Sequence, residues 1–261
     1  MKTAFIGIGN MGGATVRGLI GKGILKAGDV SCCDINTGAL ERLAQDYPGI
    51  KTTTSSREAA GGADCIVLAV KPWLVEQVLS EIKDLLDLKR QNLVVIAAGV
   101  TFEMLKGWLG QDATIFRVIP NTAIAVGSSM SFVSALNATP ERSAAVVDMF
   151  SALGKAILIP EDKLGAGTSL ASCGIAFAMR YIRAATEGGV ELGFAAKDAL
   201  DIVLNTVKGA TDLLMASGAN PEDEIDKVTT PGGITIRGLN EMEKEGFSWS
   251  VIAGLRASRT K

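Results

Sequence analysis

Histidine is absent from this 261-residue chain. That removes the commonest general acid–base, the Ser-His nucleophile pair and the usual zinc ligands together. Cysteine is scarce: Cys32, Cys33, Cys65 and Cys173 make no C-x-x-C pair, and the first three fall in apolar runs. They read as reduced packing residues, not as a disulfide framework or metal site, and no metal is expected. An excess of one charge is also missing. The 26 basic residues face 28 acidic ones, a net charge of −2 with no basic block, so nothing in the charge favours nucleic acid. No unbroken apolar stretch approaches the roughly 18 residues of a membrane span. The start MKTAFIGIG superficially resembles a signal peptide, but the stretch breaks at Asn10 and its glycines serve a turn, so a cytoplasmic chain is expected. Any chemistry must rest on a cofactor, backbone amides, hydroxyls, lysine or carboxylates.

What is present begins at residue 3. Thr3 to Ile8 (TAFIGI) reads as a buried strand, Gly7, Gly9 and Gly12 give G-x-G-x-x-G, and a helical run from Ala14 to Ile20 follows at once. Asp34 ends a second apolar run (DVSCCD). Strand, glycines, helix and downstream acid together form the dinucleotide fingerprint, which a lone glycine motif does not. Gly7 permits the tight turn, Gly9 lets backbone approach a pyrophosphate, and Gly12 lets helix and strand pack closely. Free N–H groups at the helix start and the positive dipole end hold the phosphates. The loop Gly7, Ile8, Gly9, Asn10, Met11 and Gly12 is therefore the expected cofactor cradle.

Further short apolar runs are CIVLAV (65–70), LVVIAA (93–98), IFRVIP (115–120) and AILIP (156–160). They do not alternate with polar residues, so they suit strands covered on both faces. Helical patterns between them predict βαβ crossovers and an α/β, Rossmann-like, doubly wound parallel sheet over residues 1–160. Ser55-Ser56-Arg57-Glu58 reads as a cap and short helix (58–62), Trp73 to Leu86 as an amphipathic helix, and Thr139-Pro140-Glu141 as a helix start. Beyond residue 161 the strand signal stops. Helices are expected over 162–189, 195–217, 221–227, 233–245 and 247–259, an all-α domain of residues 161–261. The first two are so apolar that helices of a second copy are expected to cover them, which predicts a homodimer and leaves a higher oligomer of dimers open.

Three other segments could carry chemistry. Ala69-Val70-Lys71-Pro72 and Ala98-Gly99 end two strands, and carboxyl ends of strands line the ligand crevice of such sheets. Lys71 reads equally as a phosphate contact or a solvated charge. Asn121, after Arg117-Val-Ile-Pro120, could orient substrate or nicotinamide, or simply close an Asx turn. Thr229 to Thr235 (TTPGGIT) precedes a helix, so its N–H groups could nest a carboxylate, or it could be an ordinary capped turn.

Together these segments resemble the pyrroline-5-carboxylate reductase family, in IGIGNMG (6–12), AVKP (69–72), RVIPNT (117–122), EGGVELGF (187–194) and KVTTPGGITIRGL (227–239). The last is the most specific. The resemblance implies a Rossmann domain followed by a helical dimerisation domain of the 6-phosphogluconate dehydrogenase C-terminal type. It also implies NADPH or NADH as cofactor and reduction of a cyclic imine to L-proline. By resemblance, Thr230, Gly232, Gly233, Ile234 and Thr235 bind the substrate carboxylate, with Asn121 and Cys173 beside it. Thr235 assists protonation of the ring nitrogen. A protonated imine is already a good hydride acceptor, so the protein's task is chiefly positioning, and no histidine is required.

The chain also departs from the family. Where the family has Ser-Gly-Ser-Gly-Pro-Ala-Tyr, residues 171–177 read Ala-Ser-Cys-Gly-Ile-Ala-Phe, so another imine remains an alternative. Ser56 replaces a common asparagine near the adenosine, and is expected still to cap its helix. Asp34 favours NADH by bonding a ribose 2′-OH, while Asn36 and Thr37 could accept a phosphate, so the cofactor stays open. Hydroxyacid dehydrogenases of related architecture carry a lysine four residues beyond the glycine that opens the long helix. Here that position is Ala178, which argues against alcohol oxidation. A non-catalytic nucleotide-binding protein is a further alternative, and the TTPGGIT loop argues against it.

Overall fold

The computed structural model describes residues 1–259. It divides into two compact units, Met1–Ser172 and Cys173 onward. The sequence expects its junction at 160/161, where the strand signal stops, and residues 260 and 261 of the expected second domain lie outside the described residues. The compact boundary falls later because Leu164, on helix α7 (Glu161–Gly167), packs with Ile119 and Phe132 of the first unit.

The first unit is built on β1 (Thr3–Ile6), β2 (Val30–Cys33), β3 (Lys51–Thr53), β4 (Cys65–Leu68), β5 (Asn92–Val95), β6 (Ile115–Ile119), β7 (Ser129–Leu136) and β8 (Gly154–Leu158). They form one sheet in the order β3-β2-β1-β4-β5-β6-β7-β8. The first six strands are parallel, in the order of a doubly wound nucleotide fold. β7 then runs antiparallel to β6, Ile115 opposite Leu136, and β8 runs with β7. β3 and β7 were not expected, and the reversal at β7 corrects the expectation of a wholly parallel sheet.

Side chains alternate across the sheet and fill two cores. Phe5, Val67, Phe116 and Phe150 share one side; Ala4, Ile6, Ile66, Leu68 and Leu93 share the other. The helices are α1 (Asn10–Gly21), α2 (Thr37–Asp46), α3 (Ser56–Ala60), α4 (Val75–Ile82), α5 (Phe102–Leu109) and α6 (Pro140–Ser151). The expected cap and first-turn proline hold for α6, where Thr139 Oγ1 accepts from the Arg142 N–H. The helix expected over 162–189 is interrupted. After α7 comes a π-helical turn, Thr168–Cys173, and only then α8 (Gly174–Glu191).

The second unit holds α8, α9 (Ala196–Ser217), α10 (Pro221–Lys227), α11 (Ile234–Lys244) and α12 (Phe247–Ala257). A Cβ on Gly189 would lie 2.9 Å from Ala199 Cβ, so a glycine lets α8 and α9 approach closely. Tyr181 and Phe247 meet edge to face, with ring centroids 6.4 Å apart. Among the described residues, no helix is long and apolar enough to cross a membrane.

Candidate functional site

The glycine loop joins β1 to α1. Gly7 has φ +94°, and a Cβ on it would lie 2.7 Å from the Ala69 carbonyl oxygen. A Cβ on Gly12 would lie 2.0 Å from the Gly7 carbonyl oxygen and 2.8 Å from Ala69 Cβ. The expected AVKP segment therefore packs directly on the loop, and the chain's own packing excludes side chains at both glycines. Gly9 differs. A Cβ there would meet nothing within 4 Å, so what glycine provides is bare backbone facing outward, as a pyrophosphate requires. α1 carries no side-chain cap and no acid in its first turn. Its positive end and its free N–H groups are left for an anion. The residues present fit a dinucleotide.

Beside this loop stands the end of β2. Asp34 Oδ2 accepts from the Ile8 N–H at 2.7 Å, and Oδ1 accepts from the Asn36 N–H at 2.9 Å. The expected ribose acid thus also braces the glycine loop. Asn36 caps α2 through its side-chain oxygen, which accepts from the Ala39 N–H. Ser56 does not cap its helix: Ser55 does, accepting from the Glu58 N–H at 3.3 Å. Ser56 is buried and donates to Glu81 Oε2 at 2.6 Å. Glu81 lies 25 positions away on α4, and no local pattern announces that pairing.

Ala69 to Pro72 follows β4, and Ala98-Gly99 follows β5, so both reach the carboxyl edge of the parallel sheet with the glycine loop. Lys71 is exposed and, among the described residues, forms no ion pair. Asn121, at the end of β6, is 8% exposed. Its Oδ1 accepts from the Ala123 N–H at 3.1 Å, the Asx turn, and its Nδ2 donates to the Ala171 carbonyl in the π-helical turn at 3.4 Å. Ser172 Oγ donates to the Pro120 carbonyl at 3.3 Å. The side chain of Asn121 is thus engaged in positioning the π-helical turn that precedes α8.

Arg117, from the same motif, is buried and pairs with Glu161 at 2.5 Å; Glu161 Oε1 also accepts from the Phe102 N–H at 2.7 Å. The guanidinium lies over the Phe102 ring, 5.8 Å from its centroid, and its Nε has no partner. Glu161 was not anticipated, because its partner is 44 positions away.

The second unit carries Cys173, a half-buried free cysteine before α8, and the Thr230–Thr235 turn. Pro231 and Gly232 are the central pair of a β-turn. Gly232 has φ +69°, and the Gly233 N–H donates to the Thr230 carbonyl at 2.9 Å, the pattern of a type II turn. A Cβ on Gly233 would lie 2.5 Å from Thr230 Oγ1 and 2.9 Å from Thr230 O. α11 has no side-chain cap and no acid in its first turn. Its opening N–H groups at Ile234 and Thr235 are therefore available to a carboxylate, whereas that of Gly233 is spent on the turn. Thr235 is exposed. Among the described residues, no three His, Cys, Asp or Glu are grouped to hold a metal ion.

Comparison with known proteins agrees with this architecture. Residues 161–261 match the family described as "Pyrroline-5-carboxylate reductase dimerisation", and residues 2–99 match "NADP oxidoreductase coenzyme F420-dependent". A curated relative, pyrroline-5-carboxylate reductase 1 of Dictyostelium discoideum, is 34% identical over 99% of this chain, which spans about half (48%) of that protein. The pyrroline-5-carboxylate reductase of Arabidopsis thaliana is 35% identical over 99% of this chain and 94% of its own length. The crystal structure of Plasmodium falciparum pyrroline carboxylate reductase with NADP bound superposes with a TM-score of 0.88 at 27% identity, covering 99% of this chain and 95% of that one. A Rossmann unit with an open glycine loop, followed by a helical unit with the TTPGGIT turn and matched end to end by these reductases, places the chain in the pyrroline-5-carboxylate reductase family of NAD(P)H-dependent oxidoreductases.

Proposed function

We propose that this chain reduces L-1-pyrroline-5-carboxylate to L-proline with NAD(P)H. The observation that carries the reading is the Thr230–Thr235 turn, whose glycines are fixed by φ and by contact while the helix behind it starts without a cap or an acid. That is the chemistry of a carboxylate seat. When bound, NAD(P)H supplies a hydride to the imine carbon and is itself oxidised. The former C=N π pair stays on nitrogen, and the proton carried by the iminium becomes the amine N–H. The N–H groups of Gly232, Ile234 and Thr235 hold the substrate carboxylate, and the Thr235 hydroxyl donates to the lone pair that develops on the ring nitrogen as the hydride arrives. Ala69 to Pro72 and Ala98-Gly99 line the cofactor side with small residues. Such positioning supplies much of the acceleration when no strong acid or base is needed.

The exposed apolar faces of the helical unit, among them Leu192, Leu213 and Met215, suit pairing with a second copy. Four free thiols suit a cytoplasmic setting. The altered residues 171–177 favour a second reading in which a related imine is the substrate.

The test is oxidation of NADH and NADPH at 340 nm with pyrroline-5-carboxylate, with L-proline identified as product. Turnover is expected, and Thr235→Val should lower kcat/KM by about tenfold to a hundredfold, below or near the lower end of typical general-acid contributions. Folded protein that binds dinucleotide yet gives no turnover overturns the reaction; full activity in Thr235→Val removes that donor role.

A further inference from the structure

We infer that Asp34, backed by Glu58 and Glu81, makes this site select NADH and reject the 2′-phosphate of NADPH; the inference rests on the dinucleotide site proposed above and not on the imine. The argument starts from Asp34. Its carboxylate follows β2 directly and is tied to the Ile8 N–H, next to Gly9. In doubly wound sheets the acid at this place meets the ribose 2′-hydroxyl. Each carboxylate oxygen already takes one N–H, and each keeps a lone pair free. That suffices for a hydroxyl, which donates. A 2′-phosphate brings no donor at neutral pH and close to two negative charges.

Two further acids approach the same end of β2. The Asp34 N–H donates to the Thr53 carbonyl at 3.4 Å, and Thr53 Oγ1 donates to Glu58 Oε2 at 2.5 Å. Glu81 is fixed by Ser56 at 2.6 Å and by Gln77 at 3.3 Å, both neutral donors, so its charge is not compensated. The Cys33 thiol senses all three. Burial first, then the charges of Asp34, Glu81 and Glu58, push it up to about 11.

Of the two cations nearest these acids, one is committed and the other is unpaired among the described residues. Arg57 is forked onto Asp84 at 2.6 and 2.9 Å, and it also donates to the Glu81 backbone carbonyl at 2.5 Å. Among the described residues, no Lys or Arg forms an ion pair with Asp34, Glu58 or Glu81. Arg42, on the second turn of α2, is exposed with its guanidinium beside Gly38 at the helix start, and it is the single cation set against the three acids there. Asn36 uses its Oδ1 to cap α2, and its amide adds no charge. The balance at this edge is negative, in contrast to the Arg-rich pockets that accept a 2′-phosphate.

The experiment is a binding titration of the purified full-length protein with NADH and with NADPH, without imine, read by tryptophan fluorescence or calorimetry. NADH should bind at least about tenfold more tightly, a gap of about 1.4 kcal/mol. The gap should narrow as salt is raised, because it is electrostatic. Asp34→Asn keeps the shape and an acceptor for the Ile8 N–H while removing the charge. It should tighten NADPH binding relative to NADH by about tenfold, and Glu81→Gln should do so by a few-fold. Equal or tighter NADPH binding by the unaltered protein overturns the inference. So does a preference unmoved by Asp34→Asn. If that variant binds neither dinucleotide, the Glu58→Gln/Glu81→Gln pair decides, and an unmoved preference there also overturns it. Tight, NADH-selective binding without turnover of the imine would leave this inference standing and remove only the proposed reaction.

Discussion

The first unit hides its apolar side chains, and the second displays them. Phe5, Phe116 and Phe150 are 0% exposed in the first. In the second, among the described residues, Ala199 is the only hydrophobic residue fully buried, while Leu192 is 82% exposed and Met215 79%. Both are rich in the same residue types, so composition does not make the difference. A parallel sheet receives helices on both faces from its own crossovers and so closes its core within one chain. A set of helices around one packed pair has faces left over, and surface of that extent on a folded protein marks a place where another surface belongs. The first unit closes its own core; the second leaves apolar faces open, as the proposed pairing with a second copy requires.

The largest effect that tests this contrast is in the core. Phe116→Ala should cost about 3–5 kcal/mol, typical of a large-to-small change at a filled site, at every protein concentration in a urea titration. Leu213→Asp with Met215→Asp places two charges at exposed apolar positions of α9. On a self-sufficient unit these changes would stay within about 0.5 kcal/mol, as surface substitutions do. We expect the pair to yield monomers in sedimentation and to lower the melting temperature, and we expect the unaltered protein's melting temperature to rise with its concentration. A double variant that melts and sediments like the parent would break the comparison.

The next effect lies in the two glycine-rich turns, which we propose to serve anions, one in each unit. Gly12→Ala sets a Cβ against the Gly7 carbonyl at 2.0 Å, a contact with backbone that cannot rotate away. It should weaken dinucleotide binding by about a hundredfold or more, about 2.7 kcal/mol, while circular dichroism shows the sheet retained. Gly9→Ala meets no protein atom and should leave stability unchanged while still weakening the dinucleotide. Equal loss of stability in both would mean that Gly9 is held by packing after all. Gly233→Ala should be milder, raising KM for the imine by about tenfold with the dinucleotide Kd unchanged, because Thr230 Oγ1 can turn aside and only its carbonyl resists.

Which parts of this were legible in the sequence follows from the range of the interactions. β1, β4 and β5 stood out because each carries an unbroken apolar run covered on both faces, and β2, β6 and β8 because their short apolar runs are broken only by Ser31, Arg117 and Lys155. β3 is Lys-Thr-Thr at an edge, with no apolar residue to signal it. β7 conceals its run behind Ser131 and Ser134, which are buried all the same. The π-helical turn left no trace in the periodicity. The glycine loop and the TTPGGIT turn were legible because their glycines answer to local backbone geometry. Their supports were not: the partners Ser56–Glu81, Arg117–Glu161 and Asn121–Ala171 are tens of residues apart, and only the folded chain brings them together. Local chemistry is written locally, and bracing is written across the sheet.

The smallest effect concerns the thiols, and it separates the units once more. Cys32 and Cys65, each 0% exposed, have thiols pushed up to about 12, chiefly by burial, and Cys33 stands at about 11. A thiolate in these positions would lose its hydration without gaining a partner, so the folded state keeps the proton. Cys173, in the second unit, is half-buried. At pH 7.5 a thiol reagent should therefore modify one cysteine in the folded protein and four in urea, and mass spectrometry should place the single early adduct on Cys173. Below about pH 9 the buried thiols are protonated in folded and unfolded chains alike and add no pH dependence to stability. Above it the unfolded chain ionises first, so it holds fewer protons than the folded one and stability falls as the pH climbs toward 11. Rapid labelling of Cys33 in the folded protein would mean that the end of β2 opens on its own, and with it the brace that Asp34 gives the glycine loop.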